Sequence, residues 1–472
     1  MKVRLTVFAL AAFALVAAVD GAWHDKVINL VEQLYSAQNA QVAEKDRGRT
    51  FHRKGRCASV TVDVDKNVPD EFKVGFLKDA GSYKGYLRLS NGDGVSRSDM
   101  FDVRGAGLVV AGVKGKKLNE GEGWEKETQN FIGINYPLFV ANNETIIPFF
   151  EAAIKAKKGS PFDLLAFMAK TPMTRRVVLT NVAMPPVGYL NNRYWSQAAF
   201  RVGQVNTKYS LIPCGQKAFS VPLTAVRTLK QNPPTSIQEL KALKGKVDNI
   251  LQTNLAEQLA TQGPANAVEN GCFRLAFQKQ INADKMPTDN PQVWWKEPGY
   301  FSPIPGVVLP DYLTLADLKL MFDAMKAQPL MMGEKGLNEG AVPHLIEIWE
   351  TKLKLAQLFN SANTTVKEAL EHLPQIFTDL IGTHGPESAF VNVATVHIAK
   401  QDIAPLDAFC ENLEITPGHS SVDIAPTGAI SEIRAEVYEM MSGYRHSDNG
   451  TTPFEPTGDV AADLATHNRL NP

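Results

Sequence analysis

Residues 57–64 read CASVTVDV. Ala58, Val60, Val62 and Val64 alternate with Ser59, Thr61 and Asp63, a period of two that turns one side of a strand toward a core. YKGYLRLSN (83–91) and GAGLVVAGV (105–113) are similar, with Asn91-Gly92-Asp93-Gly94 as a turn between them. Strand signals return in RRVVLTNVAM (175–184), QAAFRVGQ (197–204), TKYSLIP (207–213), CFRLAFQKQ (272–280) and AFVNVATVHIAKQD (389–402). So many short strands, broken by Gly, Pro and Asn, predict an antiparallel barrel or sandwich.

Helical patterns surround these strands, so the expected class is α+β. Residues 145–170 place Ile147, Phe150, Ala153 and Ile154 on one helical face. SIQELKALKG (236–245) and ILQTNLAEQLATQG (250–263) each close on a glycine, where a helix C-cap sits. After a proline-rich connector (291–310), residues 313–382 are almost entirely helix formers at a 3.6-residue period, and helical packing is the first reading of their Met and aromatic stripe. AISEIRAEVYEMMSGYRH (429–446) is a last amphipathic helix, and the polar residues 447–472 predict a loosely ordered tail. The expected organisation is a leader (1–18), a barrel core in two parts (24–299 and 388–450), a helical insertion (300–387) and a tail (451–472).

With 472 residues, 44% hydrophobic and 21% charged, the chain is long enough for a large globular core. Its net charge of -1 gives no reason to expect a nucleic acid or an anionic membrane surface as partner. Lys2 and Arg4 precede an apolar run, Leu5 to Val19, with Val16-Ala17-Ala18 as a cleavage site: the pattern of a secretory leader rather than a membrane anchor. Export predicts an oxidising surrounding, where Cys57, Cys214, Cys272 and Cys410 can form disulfides in any of three pairings. Sequons at Asn143, Asn363 and Asn449 are compatible with a secreted glycoprotein.

Arg434 and Tyr438 stand four residues apart, so they share a helix face, and Arg445 follows seven residues on. A free phenol has a pKa of about 10; a fixed cation beside it favours the phenolate, a hard anionic ligand suited to ferric iron. Three further fragments precede this one: Arg49-Thr50-Phe51-His52 with Lys54-Gly55 after it, Asp102-Val103-Arg104-Gly105 leading into AGLVV, and Asn135-Tyr136-Pro137-Leu138-Phe139. In this order the four resemble the haem catalase superfamily: its distal RxxH, its DPRG strand entry, its NTPIF segment and its proximal helix. RYWSQAAFRVGQVNTKYSLIPC (193–214) and CENLEITPGH (410–419) resemble its shorter, catalase-like peroxidase branch. The likeness covers roughly residues 45–300 and 388–450.

That resemblance implies an antiparallel barrel of catalase type holding haem b, with Tyr438 as the iron ligand and Arg434 keeping it deprotonated. It implies that Arg49, Arg104 and Arg445 pair with the haem propionates, which need bidentate cations if buried. It places Ser90 beside the distal site, with His52 as general base and Asn135 as hydrogen-bond donor to a peroxide. The implied substrate is hydrogen peroxide or a small organic hydroperoxide; the oligomeric state, a homo-oligomer included, stays open. Phe51 stands where the family carries valine or threonine, Glu439-Met440 replaces its Asp-Thr pair, and residues 300–387 have no counterpart in it. Two other functions therefore stand beside a catalase-like peroxidase: an isomerase or lyase of fatty-acid hydroperoxides, as in allene oxide synthases, and a non-catalytic haem-binding protein.

Overall fold

The computed structural model describes residues 23–40, 42–43, 47–92, 103–118, 127–135, 143–158, 163–164, 166–167, 188–214, 250–260, 271–279 and 390–472. The expected leader, the strand at 175–184, the helix at 236–245, the 300–387 insertion and the sequon at Asn363 lie outside them, as does the side chain of Asn143.

Ten strands are described: β1 (Gly55–Val64), β2 (Ser82–Asn91), β3 (Arg104–Ala111), β4 (Thr128–Ile134), β5 (Tyr194–Ser196), β6 (Phe200–Val202), β7 (Val205–Pro213), β8 (Gly271–Lys279), β9 (Phe390–Ile398) and β10 (Ile424–Pro426). Eight of them close a ring in the order β1-β2-β3-β4-β5-β7-β8-β9, with β9 returning to β1, and every pairing is antiparallel. β6 pairs with the start of β7 and carries β10 on its other edge. Residues 197–204, which read as one strand, thus contain only the three-residue β6. Closure leaves the ring no open edge to protect.

Alternation within each strand determines what fills the barrel. Ala58, Val60, Val62 and Val64 of β1 point inward to meet Leu87 and Leu89 of β2, Leu108 and Val110 of β3, Phe131 of β4 and Phe273, Leu275 and Phe277 of β8. The interior is therefore a packed apolar core rather than a channel. Phe131 sits near its centre, edge-on to Tyr209 at 5.1 Å.

Six helices lie outside the barrel among the described residues: α1 (23–39), α2 (Asn143–Lys157), α3 (Ile250–Leu259), α4 (Asp407–Asn412), α5 (Ala429–Asn449) and α6 (Val460–Leu470). α4 presses Phe409 onto Tyr86, an outward-facing residue of β2. Val27 and Val31 of α1 pack with Ile430, Ile433 and Val437 of α5. The cysteines form two disulfides, Cys57–Cys410 between β1 and α4 and Cys214–Cys272 between the ends of β7 and β8. Among the described residues no helix is long and apolar enough to cross a membrane.

The tail differs from its expected looseness. Asp459 caps α6 by accepting from the amides of Ala461 and Ala462. Asp463 is buried and accepts from Tyr86 Oη at 2.6 Å and from the amides of Thr457 and Gly458 at 2.9 Å. The polarity of 451–472 thus reflects caps and one buried carboxylate, groups that composition cannot distinguish from a solvated tail.

Candidate active site

The outer face of the first strands carries a trough of small residues. Strand register places Gly55 beside Ser90 and Ser90 beside Gly105, all three outward by the same alternation that sends Leu89 and Ala106 inward. The ring of His52 lies in this trough. A Cβ on Gly105 would stand 2.2 Å from His52 Nδ1, so only glycine admits the ring there. Nδ1 is 3.1 Å from Ser90 Oγ.

Backbone contacts hold His52 in an unusual conformation. Its φ of 58° makes it the one non-glycine residue in the left-handed region among the described residues, which costs about 1–3 kcal/mol. Its N–H donates to Gly92 O at 3.1 Å, and its carbonyl accepts from Arg88 Nη1 at 2.7 Å. Burial, then the charges of Arg88, Arg434 and Arg49, push the imidazole pKa down to about 3. The ring is therefore neutral at pH 7, as a proton acceptor must be.

Tyr438 arrives from the opposite end of the chain on α5. Arg434, one turn earlier, sets its Cζ 5.7 Å from the phenol ring centroid, as the i, i+4 spacing requires. His52 and Tyr438 border one pocket, and an adjoining pocket, here its second lobe, shares four of its lining residues. A lobe of about 50 Å³ includes His52, Arg88, Ser90, Gly105 and Gly107. A lobe of about 60 Å³ includes Glu414, Glu439, Met441 and Arg445. Arg49, Phe51, Ile415 and Tyr438 border both. Phe51 also packs on Phe150 of α2, with ring centroids 6.5 Å apart.

Arg49, Arg88 and Arg445 form a cationic cluster on the cavity wall. Arg49 Nη2 donates to the carbonyls of Cys410 and Glu411 at 3.3 Å and to that of Leu413. Arg445 Nη1 donates to the Glu411 carbonyl at 2.7 Å, and Arg88 Nη2 to the Glu411 carboxylate at 3.0 Å. The cluster thus gathers at the C-terminal end of α4, where carbonyl dipoles favour cations. Burial, with Arg445 and Arg88 nearby, lowers the Arg49 pKa, and burial brings Arg445 down to about 10 despite Glu411. Each of the three guanidiniums keeps a buried Nε with no hydrogen-bond partner.

Two of the expected site residues do not border this cavity. Arg104 shares the inward parity of Ala106 and Leu108, and its charge is felt by Tyr194 inside the barrel. Asn135 lies just past β4; its Oδ1 accepts from the Arg104 amide at 2.8 Å, and its Nδ2 faces Asn192 Oδ1 at 3.5 Å. The structure brings His52, Ser90, Arg49, Arg434, Tyr438 and Arg445 together, and adds Arg88. The signal for Arg88 was present: it stands two residues before Ser90 on one strand and so shares its face. Glu439, which follows Tyr438, borders the cavity and stands 3.3 Å from Nε2 of the buried His419.

No protein-family model matches the chain, and comparison with characterised proteins finds none similar in sequence. Among solved structures it is similar to a fungal catalase, at 12% identity and a TM-score of 0.45, over 84% of this chain and 59% of that one. It is also similar to a bacterial catalase, at 11% identity and a TM-score of 0.47, over 87% of this chain and 60% of that one. The chain thus spans about three fifths of the length of either catalase.

Proposed function

We propose that this protein is a haem-dependent, catalase-like peroxidase that reduces hydrogen peroxide or a small organic hydroperoxide. One observation carries the reading: a neutral histidine on the barrel wall and an arginine-backed tyrosine from a distant helix border the same cavity.

The donor set suits a ferric porphyrin bearing two carboxylates. Tyr438, with Arg434 over its ring, would take the iron. Arg49, Arg88 and Arg445, whose buried Nε atoms lack partners, would take the propionates; Arg88 replaces Arg104 in that set. Phe51 and Ile415 border both lobes and so stand between the groups that would hold the iron and those that would hold the propionates. Bound haem would supply the electrons that break the peroxide O–O bond.

The chain relays the proton. In the tautomer that serves as base, Nδ1–H of His52 would donate to Ser90 Oγ, 3.1 Å away, and leave the Nε2 lone pair for the hydroperoxide proton. His52 then returns that proton to the other oxygen, which leaves as water or alcohol. Arg88 and Gly105 keep the ring in place for both transfers. No role in this step is assigned to Asn135, whose amide lies between the Arg104 N–H and Asn192 Oδ1. Phe51 on both lobes supports a small hydroperoxide over a fatty-acid one. The apolar leader and the two disulfides support an exported protein.

Absorption spectra of the haem-loaded protein test the reading. Wild type should show a Soret band that Tyr438→Phe shifts or abolishes. His52→Ala should keep the band and lose about 10²–10⁴-fold in peroxide turnover. A spectrum unaltered by Tyr438→Phe would exclude the tyrosine as ligand.

A further inference from the structure

Away from the cavity, α1 and α5 bring two tyrosines into contact that the peroxide step does not use. Tyr35 of α1 is buried, whereas Tyr444 of α5 is 39% exposed, and their ring centroids are 5.8 Å apart at 38°. Each phenol donates to a carboxylate of its own. Tyr444 Oη reaches Glu32 Oε1 at 2.6 Å, and Tyr35 reaches Asp448, which also meets Arg47 Nη1 at 3.3 Å. These partners raise both phenol pKa values, with burial the larger cause at Tyr35, so both are protonated at neutral pH. Tyr444 follows Tyr438 by six residues on one helix, about 9 Å along its axis. Its neighbour Arg445 borders the cavity and lies within electrostatic reach of Tyr35.

A neutral phenol gives up an electron readily only if its proton leaves with it, because the phenol radical cation is a very strong acid. Both phenols already have their protons aimed at a base. We propose that Tyr444, backed by Tyr35, is a surface oxidation site for phenolic donors too bulky to enter the cavity. This rests on the peroxidase reading above, which names the hydroperoxide as oxidant. In each passage Tyr444 sends one electron inward through Tyr35 and its proton to Glu32, becoming a neutral phenoxyl. A donor phenol at the surface then gives Tyr444 an electron and loses its own proton to solvent, while Glu32 returns its proton to Tyr444. Two passages deliver two electrons to the cavity, and two solvent protons join them there. One hydroperoxide and two phenols become one alcohol, one water and two donor phenoxyls.

The test compares a free phenol with the same phenol coupled to a soluble polymer, using haem-loaded wild type, Tyr444→Phe and Glu32→Gln. Both variants should lower the ratio of polymer-bound to free-phenol kcat/KM about tenfold. In a separate readout, peroxide added without donor, in the presence of a nitroso spin trap, should label the wild-type peptide that carries Tyr444. An unchanged ratio in both variants, equal losses for both donors, or an adduct on another peptide overturns the proposal while leaving the peroxidase reading intact. If wild type oxidises neither phenol and yields no adduct, the peroxidase reading fails and this site fails with it.

Discussion

His52 shows how much one residue depends on its neighbours having little side chain or none. Gly105 leaves room for the ring, Ser90 holds Nδ1, and Arg88 holds the carbonyl of a left-handed residue. Because the folded pKa of about 3 lies below the ordinary 6.5, the unfolded chain binds a proton that the folded one refuses. The resulting stability is complete above pH 6.5 and is lost as pH falls from there toward 3, at most about 1.4 kcal/mol per pH unit. Urea denaturation at pH 7 and pH 5 should therefore show wild type losing up to about 2 kcal/mol more than His52→Asn, whose amide does not titrate. Equal losses would mean that the imidazole is solvated. His52, Arg49, Ser90 and Tyr438, which border one cavity, each sit in a short local pattern that sequence can nominate. Arg104 and Asn135 lie away from the cavity because neighbouring residues at a strand end face opposite sides, and a motif does not say which.

At the scale of elements, the six-residue α4 has the most consequence for its size. It is too short to be stable alone. The Cys57–Cys410 disulfide ties it to β1, Arg56 grips Asp407 through two bonds of 2.7 and 2.8 Å, and Arg49 and Arg445 use its carbonyls. Fixing α4 therefore also fixes the cationic wall of the cavity. Cys410→Ser should cost about 2–5 kcal/mol in denaturant unfolding under oxidising conditions. The same change should weaken haem retention in a transfer assay to apomyoglobin, since Arg49 and Arg445 lose their common anchor. A variant that is destabilised but keeps its haem would show that the two arginines are positioned independently of α4. Sequence reading left the three cysteine pairings open, because loop lengths do not choose among them.

For the whole molecule, the barrel and its coat stand or fall together. β9 enters from beyond residue 389 to join β8 to β1, so the ring exists only once chain ends far apart have met. The same holds for the tail, whose Asp463 reaches back to Tyr86 on β2. Asp463→Ala would leave the Tyr86 hydroxyl and the Thr457 and Gly458 amides without their acceptor, a loss of about 1–3 kcal/mol for each buried group left unsatisfied. A thermal midpoint within 1–2 °C of wild type, measured by circular dichroism, would show that the tail docks without this carboxylate.

The sequence by itself pointed to β1, β2, β3, β7, β8 and β9, to the alternation that turns one face of β1 inward, and to candidate residues for the site, because alternation, glycine and i, i+4 spacing act over a few residues. Strand pattern alone left barrel or sandwich open; the family resemblance implied the barrel and the structure closes it, whereas which cysteines pair was decided by tertiary structure alone. It also decided that Arg88 rather than Arg104 joins Arg49 and Arg445, and that the polar tail is docked. These outcomes depend on which distant segments become neighbours, and that is set by the free energy of packing the whole chain, which no local pattern contains.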